Sequence, residues 1–150
     1  MQLDLLQMNV TGGMVAASRQ WRRICQTTLG SSGVSEACAA PLLMIMRLGD
    51  GVRQVTVAHA CGMESPSLVR LLDQLCKADI VLRSEDPTDR RAKCLSLTAS
   101  GRTIGLKIEN ELIRLRRDVL QNVAPADLDA ALRVFKAFAD ATNPDNPEAQ

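Results

Sequence analysis

The sequence predicts a mainly α-helical chain with one small β-hairpin, and three observations carry that prediction. Apolar residues recur at helical spacing through most of the chain, as at Leu68, Leu71, Leu72 and Leu75. Only residues 81–97 change to short strand-like runs around a turn. Glycines, prolines and capping residues punctuate these stretches, with no internal repeat and no linker long enough to divide two domains.

Composition narrows the function. The chain has 150 residues, 46% hydrophobic and 23% charged, which fits a globular chain able to bury a core. Aromatics are 2% of it, with Trp21, Phe135 and Phe138 and no tyrosine, so a surface of stacking rings is excluded. No apolar run approaches the roughly 18 residues of a membrane span, and no signal-peptide pattern opens the chain, so the cytoplasm is expected. Cys25, Cys38, Cys61, Cys76 and Cys94 are scattered without a CxxC pair and read first as small buried hydrophobes. With His59 as the one histidine, zinc ligands are few, and neither a metal nor another cofactor is expected. A net charge of +1 means that a nucleic-acid partner would have to be met by locally concentrated arginines.

Each element follows in order. Residues 1–29 carry Leu3, Leu5, Leu6, Met8, Val10 and Met14 and then Arg19, Arg22 and Arg23, and read as helix with a break or weak point at Gly12-Gly13. Leu29–Gly33 reads as loop. Ser35 is the expected N-cap of a second helix, in which Pro41 should kink the chain or delay the start. A short helix over about 53–60 runs to Gly62. A longer one follows, with Ser65 as N-cap and Pro66 at the first helical position. Its leucines line one face, and Ser67, Arg70, Gln74 and Lys77 the other. Val81-Leu82-Arg83 and Lys93–Leu97 read as strands around the turn Glu85–Asp89. Thr98 can cap a long helix with Ile104, Ile108, Leu112, Leu115 and Val119 along one stripe. Pro125 opens a last helix with Leu128, Leu132, Phe135 and Phe138 inward, and the tail from Thr142 is Pro/Asn-rich and expected to fray.

The helices around Gly62 have the parts of a helix-turn-helix: small Ala58 at the crossing, a glycine where the turn goes left-handed, and Leu68 and Leu71 to anchor the second helix. An ordinary helical corner shares these features. The hairpin directly after it, with Arg90 and Arg91 near its tip, has the layout of a wing, where arginine can enter a narrow minor groove. Asp89 beside them can hold one guanidinium in place. The bland alternative is a solvated charged turn.

Asp89-Arg90-Arg91-Ala92-Lys93-Cys94-Leu95-Ser96-Leu97-Thr98 resembles the MarR-family wing pattern Asp-x-Arg-x-x-x-Leu-x-Leu-Thr at every defining position. Pro66–Leu75 resembles the recognition helix of the SlyA-like branch, and the likeness covers roughly residues 19–140. One departure is Asp79, where the family usually has glycine; Asp tolerates the left-handed backbone better than most residues. The resemblance implies a winged helix-turn-helix transcriptional regulator, not an enzyme, dimeric through interlocked N- and C-terminal helices and bound to inverted-repeat DNA. Residues 1–34 would then be a dimerisation helix and loop, 35–98 the DNA-binding domain, 99–141 further dimerisation helices and 142–150 a tail.

On this reading Ser67, Arg70 and Gln74 contact the major groove, and Ser65 and Pro66 lie near phosphate at the helix N-terminus. Arg90 enters the minor groove and Arg91 pairs with Asp89, although the two arginines can exchange roles. The resemblance also implies release by a small ligand such as an aromatic carboxylate, for which Arg19, Trp21, Arg22 and Arg23 are the candidates. The plain alternative makes Trp21 core and these arginines solvated. Oxidation at Cys25, beside Arg22 and Arg23, is a rival signal, and a winged protein-interaction module without DNA a rival function.

Overall fold

The computed structural model describes residues 1–142, so the expected frayed tail lies, Thr142 apart, outside the described residues. The elements in chain order are α1 (Gln2–Leu29), a 3-10 turn (Gly30–Ser32), α2 (Glu36–Leu48), β1 (Val52–Arg53), α3 (Gln54–Cys61), α4 (Ser65–Lys77), β2 (Val81–Glu85), β3 (Lys93–Leu97), α5 (Ala99–Leu120) and α6 (Pro125–Ala141). The expected fold class holds: a mainly helical chain whose small antiparallel sheet supplies a wing. None of the described helices is by itself long and apolar enough to cross a membrane.

Local chemistry explains most boundaries. Ser35 caps α2, its hydroxyl accepting from the Cys38 amide at 3.3 Å, with Glu36 in the first turn. Thr98 caps α5 in the same way, accepting from the Gly101 amide at 2.8 Å. Four expectations need correction. Gly12-Gly13 does not break α1, since two glycines in a helix of 28 residues cost only about 1 kcal/mol each. Pro41 lies inside α2 and does not delay its start, which falls at Glu36; its ring is buried beside Leu42 and Leu43. Ser65 is the first residue of α4 and not its cap; Glu64 takes that place and makes no capping side-chain bond. Glu85 belongs to β2, because Glu85 pairs with Lys93 and extends the ladder by two residues beyond Arg83.

The two-residue strand β1 has no counterpart in the sequence-based expectation, since two residues are too few to show alternation. It adds to the free edge of β3, giving the order β1-β3-β2, with Val52 opposite Leu95 and Arg53 opposite Cys94.

The chain divides into two compact units, Met1–Ile113 and the residues from Arg114 on. In the first, Leu42 and Ile45 of α2, Val57 of α3, Leu68, Leu72 and Leu75 of α4, Leu95 of β3 and Ile108 of α5 are fully buried and form its core. Small residues let α5 approach closely. A Cβ on Gly101 would collide with the Ile80 carbonyl, and one on Gly105 would press on Met46 Sδ. In the second unit α6 buries none of its residues: Leu132, Phe135 and Phe138, expected inward, are 63%, 51% and 43% exposed. Their spacing is that of a packing stripe, but this unit holds no surface against which they are covered.

Candidate nucleic-acid interface

Two protruding elements define the candidate surface, and each is fixed by chemistry at its base. Helix α3 ends at Gly62, whose φ of 62° is left-handed and so suits glycine. The Gly62 amide donates to His59 O and the Met63 amide to Ala58 O, closing the turn before α4. Leu68, Leu71, Leu72 and Leu75 then bury one face of α4 and turn the other outward. Ser67, Arg70 and Gln74 all lie on the exposed side, and Ser65 and Pro66 occupy its uncapped first turn. Gln74 is partly engaged inward, its Oε1 accepting from the Cys38 thiol of α2 at 3.6 Å.

The C-terminus of α4 closes on a six-residue loop back to the helix. The Ile80 amide donates to Leu75 O at 2.9 Å and the Asp79 amide to Cys76 O at 3.0 Å. Asp79 has φ 56°, the one left-handed residue other than glycine among those described. The cap therefore survives the loss of glycine, and buried Ile80 leads straight into β2.

The wing turn is built around Asp86, a residue that sequence reasoning passed over. It is the one buried charged residue among those described, at 7% exposure. Its Oδ1 accepts from the Thr88 hydroxyl at 2.6 Å, the Thr88 amide at 2.7 Å and the Asp89 amide at 3.2 Å. Its Oδ2 accepts from Arg53 Nε at 2.6 Å. Bonds from Thr88 and then from Arg53 hold this carboxyl well below the usual carboxylate range, and the pairing raises Arg53 in turn. Burial, and then the neighbouring Asp86 charge, push the Cys94 thiol up. The Asp-x-Thr sequence is an Asx-turn signal and was the available clue. Arg53, more than thirty residues away in sequence, offered none.

Beyond this anchor Asp89 Oδ1 accepts from the Arg91 amide at 3.1 Å and from Arg91 Nε at 3.3 Å. Arg90 is exposed and has no ion-pair partner among the described residues. Two more ion pairs brace the unit. Arg83 of β2 meets Asp73 of α4 at 2.9 Å, tying wing to helix. Asp50 pairs with Arg102 and accepts from the Leu97 amide, and Arg102 first and Leu97 second lower its pKa.

The candidate ligand residues divide. Arg19 and Arg22 line an open groove of about 370 Å³ on α1 together with Met14, Val15 and Ser18. Trp21, half-buried, and Arg23, exposed, fall on other faces of the helix. Cys25 is buried at 4% exposure.

Comparison with known proteins agrees with this geometry. Residues 56–101 match the family model described as a winged helix DNA-binding domain. A MarR transcriptional regulator from Methanosarcina mazei Go1 superposes with a TM-score of 0.75 at 15% identity, over 87% of this chain and 95% of that one. The transcriptional repressor CouR, solved bound to a 23-mer DNA duplex, gives 0.71 at 22% identity, over 85% and 89%. CouR from Rhodococcus jostii RHA1 bound to p-coumaroyl-CoA gives 0.72 at 22%, over 89% of each chain. The chain thus carries a winged helix-turn-helix fold, and it is the fold of MarR-family transcriptional regulators.

Proposed function

We propose that this chain is a MarR-family transcriptional regulator of the SlyA-like branch, working in the cytoplasm as a DNA-binding repressor and not as an enzyme. The observation that carries the reading is the pairing of two outward basic elements on one braced unit. Helix α4 presents Ser67 and Arg70 opposite its buried leucines, and the neighbouring wing presents Arg90 unpaired. A helix of this kind fits the major groove, where arginine reads guanine bidentately, and a wing arginine fits the narrow minor groove. The uncapped first turn, where Pro66 itself carries no N–H, offers the amides of Ser65 and Ser67 to phosphate. Asp89 holds Arg91 and leaves Arg90 free to insert.

The same reading makes the protein a homodimer on an inverted repeat. Leu3, Leu5, Leu6 and Met8 of α1 are more than half exposed, as are Leu132 and Phe135 of α6. Apolar faces of this size belong to interfaces. A small aromatic carboxylate is the proposed signal, with Arg19 and Arg22 of the α1 groove as its anchors. Oxidation at Cys25 is the weaker reading because thiol reactivity follows exposure and this thiol is buried.

The test is titration of the full chain into a duplex from its own upstream region and into a scrambled duplex, at two salt concentrations. The regulator reading expects tight, selective binding that weakens as salt rises, and Arg70→Ala should weaken it by about 1–3 kcal/mol. Substituted benzoates should release the duplex from the wild-type chain and not from Arg22→Ala. If no duplex is retained, even after selection from a random library, the DNA-binding reading fails.

A further inference from the structure

Arg53 occupies a position that ordinarily belongs to a short polar residue. It is the N-cap of α3, with β-region backbone, and it makes no capping bond. Serine, threonine, asparagine or aspartate can accept from the first-turn amides there, and a guanidinium, which only donates, cannot. The side chain therefore does nothing for its own helix. It extends instead across the sheet. Strands β1 and β2 are not neighbours, since β3 lies between them, and Cys94 of β3 is the residue paired with Arg53. Over that strand Arg53 Nε reaches Asp86 Oδ2 at 2.6 Å and Nη2 reaches the Thr88 hydroxyl at 3.3 Å.

The division of labour at Asp86 gives this contact its weight. Oδ1 accepts from Thr88 and Asp89 and shapes the turn. Oδ2 has Arg53 and, at 3.8 Å, the weak donor Cys94. A buried carboxylate needs a strong partner for each oxygen, and Arg53 is the one that serves the second. The same residue that begins the first helix of the DNA-binding motif thereby closes the base of the wing.

We propose that Arg53 is a positioning residue for DNA binding: its clamp on Asp86 and Thr88 locks the wing to the start of α3, so that the reach of Arg90 is set by the helix-turn-helix and not by the hairpin alone. The inference rests on the regulator reading for its functional consequence, while the lock itself is a property of the free protein. Arg90 lies four residues beyond Asp86, so freedom at the anchor is freedom at the tip.

Arg53→Gln removes the strong donor and Asp86→Asn puts an amide where Oδ2 accepted, keeping an acceptor for the turn. In the free full-length chain, hydrogen exchange of the Thr88 and Asp89 amides should accelerate in Arg53→Gln while amides of α4 and α5 keep their wild-type rates. Unchanged wing exchange overturns the proposal whether or not any duplex is bound. With a duplex selected from a random library, Arg53→Gln and Asp86→Asn should each weaken binding by roughly tenfold or more, and the double variant should be no worse than either. Arg53→Gln combined with Arg90→Ala should likewise lose no more than Arg90→Ala alone. Hydroxyl-radical protection should vanish where the wing lies and persist under α4. Additive losses, with Asp86→Asn binding as wild type, would show that Arg53 touches phosphate directly and overturn the positioning role. Failure of the wild-type chain to hold any duplex would defeat the regulator reading alone, with the exchange result still deciding the lock.

Discussion

The winged core and helix α6 both draw on leucine and alanine at helical spacing, with the two phenylalanines confined to α6, yet they end in opposite conditions. In the core, five different elements converge on side chains such as Leu42, Leu72, Leu95 and Ile108, each with 0% exposure. In α6 an equally regular stripe of Leu132, Phe135 and Phe138 is about half exposed or more. The core gains its stability from tertiary contacts within one chain. Helix α6, like the first half of α1, keeps an amphipathic face with nothing described against it, and most helical stability in proteins comes from packing such a face. The contrast separates what one copy can complete from what, on our proposal, a second copy completes.

The comparison is broken most directly from the core side. Leu72→Ala should cost about 2–5 kcal/mol in urea unfolding, because α4 has no freedom to collapse into the space. A loss below about 1 kcal/mol would mean that the core is not the closed unit described. From the other side, Phe135→Asp should leave unfolding of the winged unit intact and shift the protein from dimer to monomer in sedimentation, with burial of such a ring worth about 1.5–3 kcal/mol. A variant that stays dimeric at the same concentration would remove α6 from the interface.

Two smaller effects sharpen the picture within the core. The Asp86 carboxyl is lowered in the folded chain, so its contribution is present above the ordinary carboxylate pKa of 3.8 and fades as pH falls below it. The stability gap between wild type and Asp86→Asn should therefore hold steady from about pH 5 to 8 and shrink in acid. A gap independent of pH would show that the ionised form is not what the wing uses. Asp79→Gly should stabilise the chain by about 0.5 kcal/mol, the relief of left-handed strain slightly exceeding the added entropy of glycine. Destabilisation there would assign Asp79 a contact beyond its backbone role.

Much of this was readable in advance where the signal is local. The leucine period of α4, Gly62, the Ser35 and Thr98 caps and the Arg-rich hairpin each declare themselves within a few residues. The left-handed backbone at Asp79 followed from its place after α4. Where the signal is long-range the sequence was silent or misleading. Ser65-Pro66 marks a helix start correctly to within one residue, but whether the cap is Ser65 or Glu64 turns on a single hydrogen bond. Gly12-Gly13 looks like a break only if local propensity decides, and in a long helix it does not.

The sequence by itself determined the order of the helices and the hairpin, the polar face of α4 and the arginines of the wing, because hydrophobic period, turn chemistry and charge are properties of neighbouring residues. The tertiary structure alone decided that Asp86 would be buried, that Arg53 would leave its helix uncapped to reach it, and that Arg83 would join Asp73 across two elements. Those pairings depend on sheet order and on which side chains converge when the core closes, and a carboxylate becomes an anchor only once folding has taken its water away.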